Sequence, residues 1–157
     1  MKINSYKTEL NESGGLCLVA EKSFDIDGRK VFTNSQMVAD FIGEQIGLRK
    51  AAEEYVYILC LDGAGHIVGL FEASHGSANN SMMPVREICK KALMLNAVSI
   101  IATHNHPSGE VEASNADLQS THKLKEAMKI IGISLLDHII VGGNTTNFYS
   151  FAQNGIL

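Results

Sequence analysis

Apolar positions along this chain come in short runs separated by polar, glycine-rich breaks. The spacing within each run predicts its element. Residues 1–15 are polar and end in Gly14-Gly15, so this start is expected to fray. Residues 16–20 form a short apolar run, and Asp27-Gly28 is a turn signal ahead of Lys30-Val31-Phe32, which together predict a small hairpin. Residues 33–36 can cap a helix carrying Val38, Phe41, Ile42 and Ile46, with Gly47 near its end. Residues 55–61 are apolar, aromatic and β-branched, which predicts a buried strand; Asp62-Gly63-Ala64-Gly65 turns the chain into a second strand over 66–73. A polar loop at 75–83 leads to Pro84, which suits a helix start, and 85–96 places Ile88, Cys89, Ala92, Leu93 and Leu95 at helical spacing. Residues 97–103 read as another buried strand. A loop at 106–113 follows, then a helix over 114–131 with Leu118, Leu124, Met128 and Ile131 on its apolar face, stopped by Gly132. A strand over 133–141, a turn at 142–144 and a short closing strand or loop complete the chain.

Helices interleaved with apolar strands predict an α/β layered fold, one mixed β-sheet flanked by helices. The 157 residues suggest one structural unit, divided into an extension over 1–49 (hairpin and helix) packed on a core over 50–157. With 45% hydrophobic residues the composition is that of a globular protein. The formal net charge of -4 argues against a nucleic-acid partner, which usually demands a basic face. Arg86, Lys90 and Lys91 lie close along one predicted helix and read as a solvated helix face. Cys17, Cys60 and Cys89 are odd in number and widely spaced, which predicts reduced thiols, with Cys60 and Cys89 in the core. The first ten residues lack the apolar run of a signal peptide, and no run approaches the length of a membrane span, so the expected compartment is the cytoplasm and no membrane partner is expected.

The chemistry concentrates in Thr103-His104-Asn105-His106-Pro107-Ser108-Gly109, followed by Ser114 and Asp117. The pattern is H-x-H, seven residues, then S-x-x-D. Histidines two apart on an extended segment point to one side of it, and a carboxylate from the next helix can join them. Two imidazoles, one carboxylate and an open position for water make a catalytic zinc site, not a structural one. His104, His106 and Asp117 are therefore the expected ligands of one zinc ion. Ser114 with Asp117 is also a helix-capping pair, and a carboxylate oxygen on zinc cannot at the same time cap freely, so the two readings of Asp117 compete. Asn105 points away from the ligands by alternation and reads as structural. Pro107 and Gly109 shape the loop. His138, beside Asp137 in a predicted core strand, reads either as a support behind the metal or as a buried, hydrogen-bonded histidine. His66, His75 and His122 have no partners at ligand spacing and read as surface or loop residues.

These residues resemble the JAMM motif of the JAB/MPN metalloprotease-like domains, and the chain more closely resembles the RadC family. Pro84-Val85-Arg86-Glu87-Ile88, residues 135–142 and the strand-like 54–62 support the match, which covers roughly residues 50–157. The resemblance implies a sheet flanked by helices, similar to the cytidine deaminase architecture. It implies a zinc-dependent hydrolase acting on a peptide or protein conjugate at a peptide or isopeptide bond. It also implies a glutamate just ahead of a core strand as general base, a position that Glu54 matches; Glu72 and Glu53 follow as candidates. Ser114 is given a hydroxyl near the metal that donates to the developing oxyanion, and one hydroxyl can accept from a backbone amide while donating elsewhere. Two other functions compete. RadC-like proteins carry a DNA-repair label, for which this chain lacks the helix-hairpin-helix segment of longer members and a basic balance. A non-heme iron site also uses two histidines and a carboxylate, but its usual order and scaffold differ.

Overall fold

The computed structural model describes residues 2–26, 31–76 and 83–157. Its centre is a seven-stranded mixed sheet in the order β2-β1-β4-β3-β5-β6-β7. The strands are β1 (Lys2–Leu10), β2 (Leu16–Asp25), β3 (Glu54–Leu61), β4 (Ile67–Gly76), β5 (Ser99–His106), β6 (Ser134–Gly142) and β7 (Phe148–Ser150). The helices are α1 (Ser35–Asp40), which runs on into a π turn at Phe41–Gln45, α2 (Val85–Met94) and α3 (Asn115–Ile130). β3 runs antiparallel to both β4 and β5, β5 runs parallel to β6, and β1 runs parallel to β4. This is the α/β mixed sheet flanked by helices that the periodicity predicts.

Alternation divides the core between the two faces. Val56, Ile58, Cys60, Ile100 and Ala102 pack with Ile88 and Ala92 of α2 and with Leu124 and Met128 of α3. Leu59, Ile101, Ile139 and Val141 pack on the other face with Val38, Ala39, Phe41 and Ile42. Both helices of the first face are amphipathic, with buried apolar positions three or four apart. Asn34 caps α1 by accepting from the Met37 amide at 2.9 Å. α1 is tied to the sheet by Ser35, whose hydroxyl donates to Asp137 at 2.8 Å.

The start of the chain departs from expectation. Residues 2–10 do not fray; they form β1 and pair with β2 from Lys2↔Asp25 to Leu10↔Leu16. The hairpin is thus closed by a turn over 11–15, where Asn11 Oδ1 accepts from the Ser13 and Gly15 amides and Gly14 takes φ 78°. Val31 does not pair with β2; it bridges to His66. The expected turn at Asp27-Gly28 lies outside the described residues, as does most of the loop at 75–83. β4 extends to Gly76, further than its apolar run. Cys17, Cys60 and Cys89 are free thiols; Cys60 is buried and Cys89 partly so. Burial pushes the Cys60 thiol up to about 12. Among the described residues no helix is long and apolar enough to cross a membrane.

Candidate metal centre

β5 carries His104 and His106 at its C-terminal end, on the face covered by α3. The loop 107–114 then reverses the chain into α3, and a capping box sets the helix start. Asp117 N–H donates to Ser114 Oγ at 3.1 Å, and Ser114 N–H donates to Asp117 Oδ2 at 2.9 Å. The cap turns the Asp117 carboxylate toward the histidines. His104 Nε2 lies 3.3 Å from Asp117 Oδ1, His106 Nε2 lies 3.6 Å from Oδ2, and the two Nε2 atoms are 3.0 Å apart. His104, His106 and Asp117 together offer three ligand atoms within 4.8 Å of one another, a group that could hold a metal ion.

The cap occupies only one of the two Asp117 oxygens: Oδ2 takes both bonds from Ser114 and also lies 3.6 Å from His106 Nε2, while Oδ1 faces His104. Ser114 is committed more fully than expected, since its Oγ accepts from the Asp117 amide and its proton goes to Asp117 Oδ2 at 2.6 Å.

The donor chemistry fits a cation. His106 Nδ1 lies 2.8 Å from the Glu110 carbonyl oxygen, which can only accept, so Nδ1 carries a proton and Nε2 is the nitrogen left to bind. Burial acts to raise the Asp117 carboxyl, but the His104 and His106 imidazoles beside it and the Ser114 hydroxyl outweigh that and hold the group far below the usual carboxylate range. The hydrogen bond to Asp117 in turn holds His106 above the ordinary imidazole value. A proton held there would compete with a cation for the same lone pair. Burial, with His104 beside it, drives His138 well below the imidazole range, so it is neutral.

Of the candidate bases, Glu54 opens β3 two residues ahead of Val56, which pairs with His104. Alternation puts Glu54 on the face of the histidines. Its carboxyl is raised, chiefly by burial; the fields of His104 and His106 pull it down and that of Asp117 pushes it up. Glu72 is elsewhere: it pairs with Tyr57, on the other face, and bonds Tyr57 Oη at 3.2 Å and His75 Nδ1 at 2.7 Å. Glu53 precedes the strand; its field reaches His75, and its carbonyl accepts from Asn105 Nδ2 at 2.9 Å. Asn105 Oδ1 also accepts from the Tyr55 amide at 2.8 Å. The Asn105 amide thus brackets the backbone of Glu54 on both sides, a task that alternation alone did not reveal.

His138 of β6 lies 2.7 Å from His104 through Nε2, and Thr121 of α3 lies 2.6 Å from its other nitrogen. It is thus both of the things its sequence position allowed: buried and hydrogen-bonded, and directly behind His104. Thr121 escaped sequence reasoning, although it stands four residues after Asp117 on the same helix face. The loop of His106 is closed by the turn after β6. Gly143 N–H donates to the His106 carbonyl at 2.8 Å, and Gly109 takes φ 88° against Gly143. The cations of α2 are engaged within the chain: Arg86 and Lys90 pair with Glu87, and Lys91 reaches the Glu72 carbonyl at 3.1 Å.

The family model of the RadC-like JAB domain matches residues 32–156. The chain is 38% identical to a UPF0758 protein of Pelobacter propionicus over 126 residues, covering 80% of this chain and 53% of that one. It is 38% identical to a UPF0758 protein of Clostridium acetobutylicum over 125 residues, with the same shares of 80% and 53%. A UPF0758 protein of Chlorobium phaeovibrioides is 43% identical over 105 residues, 67% of this chain and 46% of that protein. The chain spans about half the length of the curated relatives it matches.

Proposed function

The chain belongs to the RadC-like JAB domain family, and we propose that it is a zinc-dependent hydrolase of the JAMM type, cleaving a peptide or isopeptide bond. One observation carries this reading: His104 Nε2, His106 Nε2 and an Asp117 oxygen converge within 4.8 Å, with a half-buried glutamate on the same face. His104, His106 and Asp117 would hold the ion. Two neutral imidazoles and one carboxylate leave a local charge of about +1 around a dication. When bound, zinc supplies Lewis acidity and brings the pKa of a water near 7.

The chain's own residues do the rest. Glu54, raised by burial, is suited to accept a proton from the attacking water and pass it to the departing amine. Asn105 holds the backbone on either side of Glu54, which fixes where that carboxylate starts from. Ser114 orients Asp117 through its hydroxyl proton, and turning that proton outward would make it a donor to the oxyanion.

The test is cleavage of internally quenched peptides and of an isopeptide-linked model substrate by zinc-loaded protein. Wild type should take up about one zinc per chain and cleave. Glu54→Gln should keep the zinc and lose on the order of 10²-fold or more in rate. The double variant His104→Ala, His106→Ala should lose the zinc. No zinc uptake by wild type, or equal cleavage by Glu54→Gln, would overturn the proposal.

A further inference from the structure

The hydrogen bonds behind His104 share one direction, fixed at one end by a backbone carbonyl. Thr121 Oγ1 lies 2.6 Å from the carbonyl oxygen of Asp117. A carbonyl accepts and never donates, so the single hydroxyl proton of Thr121 belongs to that bond. Without it, two oxygens would face each other at that distance with nothing between them. Thr121 Oγ1 also lies 2.6 Å from His138 Nδ1. With its own proton committed, the oxygen can only accept there, so His138 is protonated on Nδ1. His138 Nε2 then presents a lone pair to His104 Nδ1, 2.7 Å away. The proton of that bond must come from His104 Nδ1. As a neutral imidazole, His104 then keeps a lone pair on Nε2, directed at the place that His106 Nε2 and Asp117 Oδ1 also face.

We propose that His138 and Thr121 are positioning residues that fix the tautomer of His104, so that folding alone selects Nε2 as its binding nitrogen. The consequence for zinc rests on the hydrolase reading above; the tautomer itself does not. The surroundings hold the chain of bonds in place. Thr121, His104 and His138 are all buried, and the His138 ring stacks on the fully buried Phe151 ring with centroids 4.6 Å apart. The opposite direction of bonding would put a proton on His104 Nε2, where it would exclude a cation. Metal-binding histidines often give their other ring proton to a carboxylate or a carbonyl. Here a neutral imidazole does that work, so His104 is oriented without a further negative charge behind the site. The carbonyl that sets the direction belongs to Asp117, so the residue that supplies a ligand oxygen through its side chain also orients a second ligand through its backbone.

The experiment uses the full chain, stripped of metal and ¹⁵N-labelled, with side-chain ¹⁵N–¹H correlation spectra of the histidines. Wild type should show His104 and His138 both protonated on Nδ1. Thr121→Val keeps the shape and removes the acceptor for His138 Nδ1–H. The His138 proton should then move to Nε2, and that of His104 to its own Nε2. Zinc affinity, by calorimetry, should fall 10- to 100-fold. Thr121→Ser should restore the nitrogen pattern and the affinity together. A purely structural role for Thr121 would lower the melting temperature and leave the nitrogen pattern as it is. The proposal is overturned by Nε2-protonated His104 in wild type, a result that needs no variant to fold. It is overturned equally by a Thr121→Val protein with unchanged spectra and affinity. Wild type with the stated tautomers but no zinc and no hydrolysis would remove the hydrolase reading and leave this one standing.

Discussion

A single methyl group at Gly143 should disturb the candidate metal centre from outside it. A Cβ at this position would fall 2.5 Å from the Pro107 carbonyl oxygen, 2.9 Å from its carbonyl carbon and 3.0 Å from its Cα. All three are backbone atoms, so no side chain can swing away to make room. A carbon–oxygen contact normally sits at about 3.3–3.6 Å, so Gly143→Ala must open the two segments by roughly 0.8 Å or more. Overpacking of that kind costs about 1–3 kcal/mol. For a chain of this length that is a fall of about 2–12 °C in melting temperature. The displacement falls on the peptide that follows His106, whose carbonyl accepts from Gly143 N–H at 2.8 Å. Function that depends on this geometry can lose about 10²-fold for a 1 Å misplacement, so zinc affinity should drop at least tenfold. The control is Gly63→Ala, in a turn where an added Cβ meets nothing within 4 Å. Thermal unfolding with and without zinc, together with calorimetric titration of zinc, reads both effects. If Gly143→Ala matches Gly63→Ala in melting temperature and affinity, the close approach does not hold the His106 loop.

Other outcomes follow from the same structure. Asn105→Ala leaves the Tyr55 amide and the Glu53 carbonyl without their partner, so urea unfolding should show a loss of about 2–4 kcal/mol; a loss below 1 kcal/mol would contradict the bracketing role. The hydrogen bond to Glu72 raises His75 above its ordinary 6.5. Any stability this pair contributes is therefore present at low pH and lost as pH rises through the raised value. An NMR titration should find the His75 midpoint above 6.5 and find it lowered in Glu72→Gln; an unmoved midpoint would count against the pair. Because the Cys60 thiol is buried and pushed up to about 12, a thiol reagent at pH 8 should label Cys60 only after denaturation, and labelling of the native protein at that residue would show that the core opens readily.

How much of this was legible in the sequence depends on how local each signal is. The strand at Glu54–Leu61, the helix at Val85–Met94 and the strand ending in the histidines are written in apolar runs and breaks of a few residues, and they fall where those runs predict. So does the mixed sheet, which follows from helices alternating with buried strands. β1 was missed because it is an amphipathic strand near the sheet edge. Only Ile3 and Ser5 are buried within it, while Lys2, Lys7 and Glu9 face water, so its composition reads as polar. Its true signal was the turn at 11–15, whose glycines look the same in a tight hairpin and in a loose end. The convergence of His104, His106 and Asp117 was legible as spacing, since H-x-H and S-x-x-D each describe one element. The division of Asp117 between cap and site was not, because a letter code does not separate one carboxylate oxygen from the other. Thr121 was invisible for a similar reason: it meets His138 across a sequence separation of 17 residues, from a different element.

The capping box at the head of α3 has one more consequence. Asp117 is pinned by the same bonds that start its helix, so its carboxylate acquires a fixed direction when the chain folds, not when an ion arrives. Conformational entropy of that side chain is lost once, during folding. An arriving cation would then meet a preorganised donor and owe little further ordering at this residue. Uptake would be governed by desolvation, and release would leave the helix start intact.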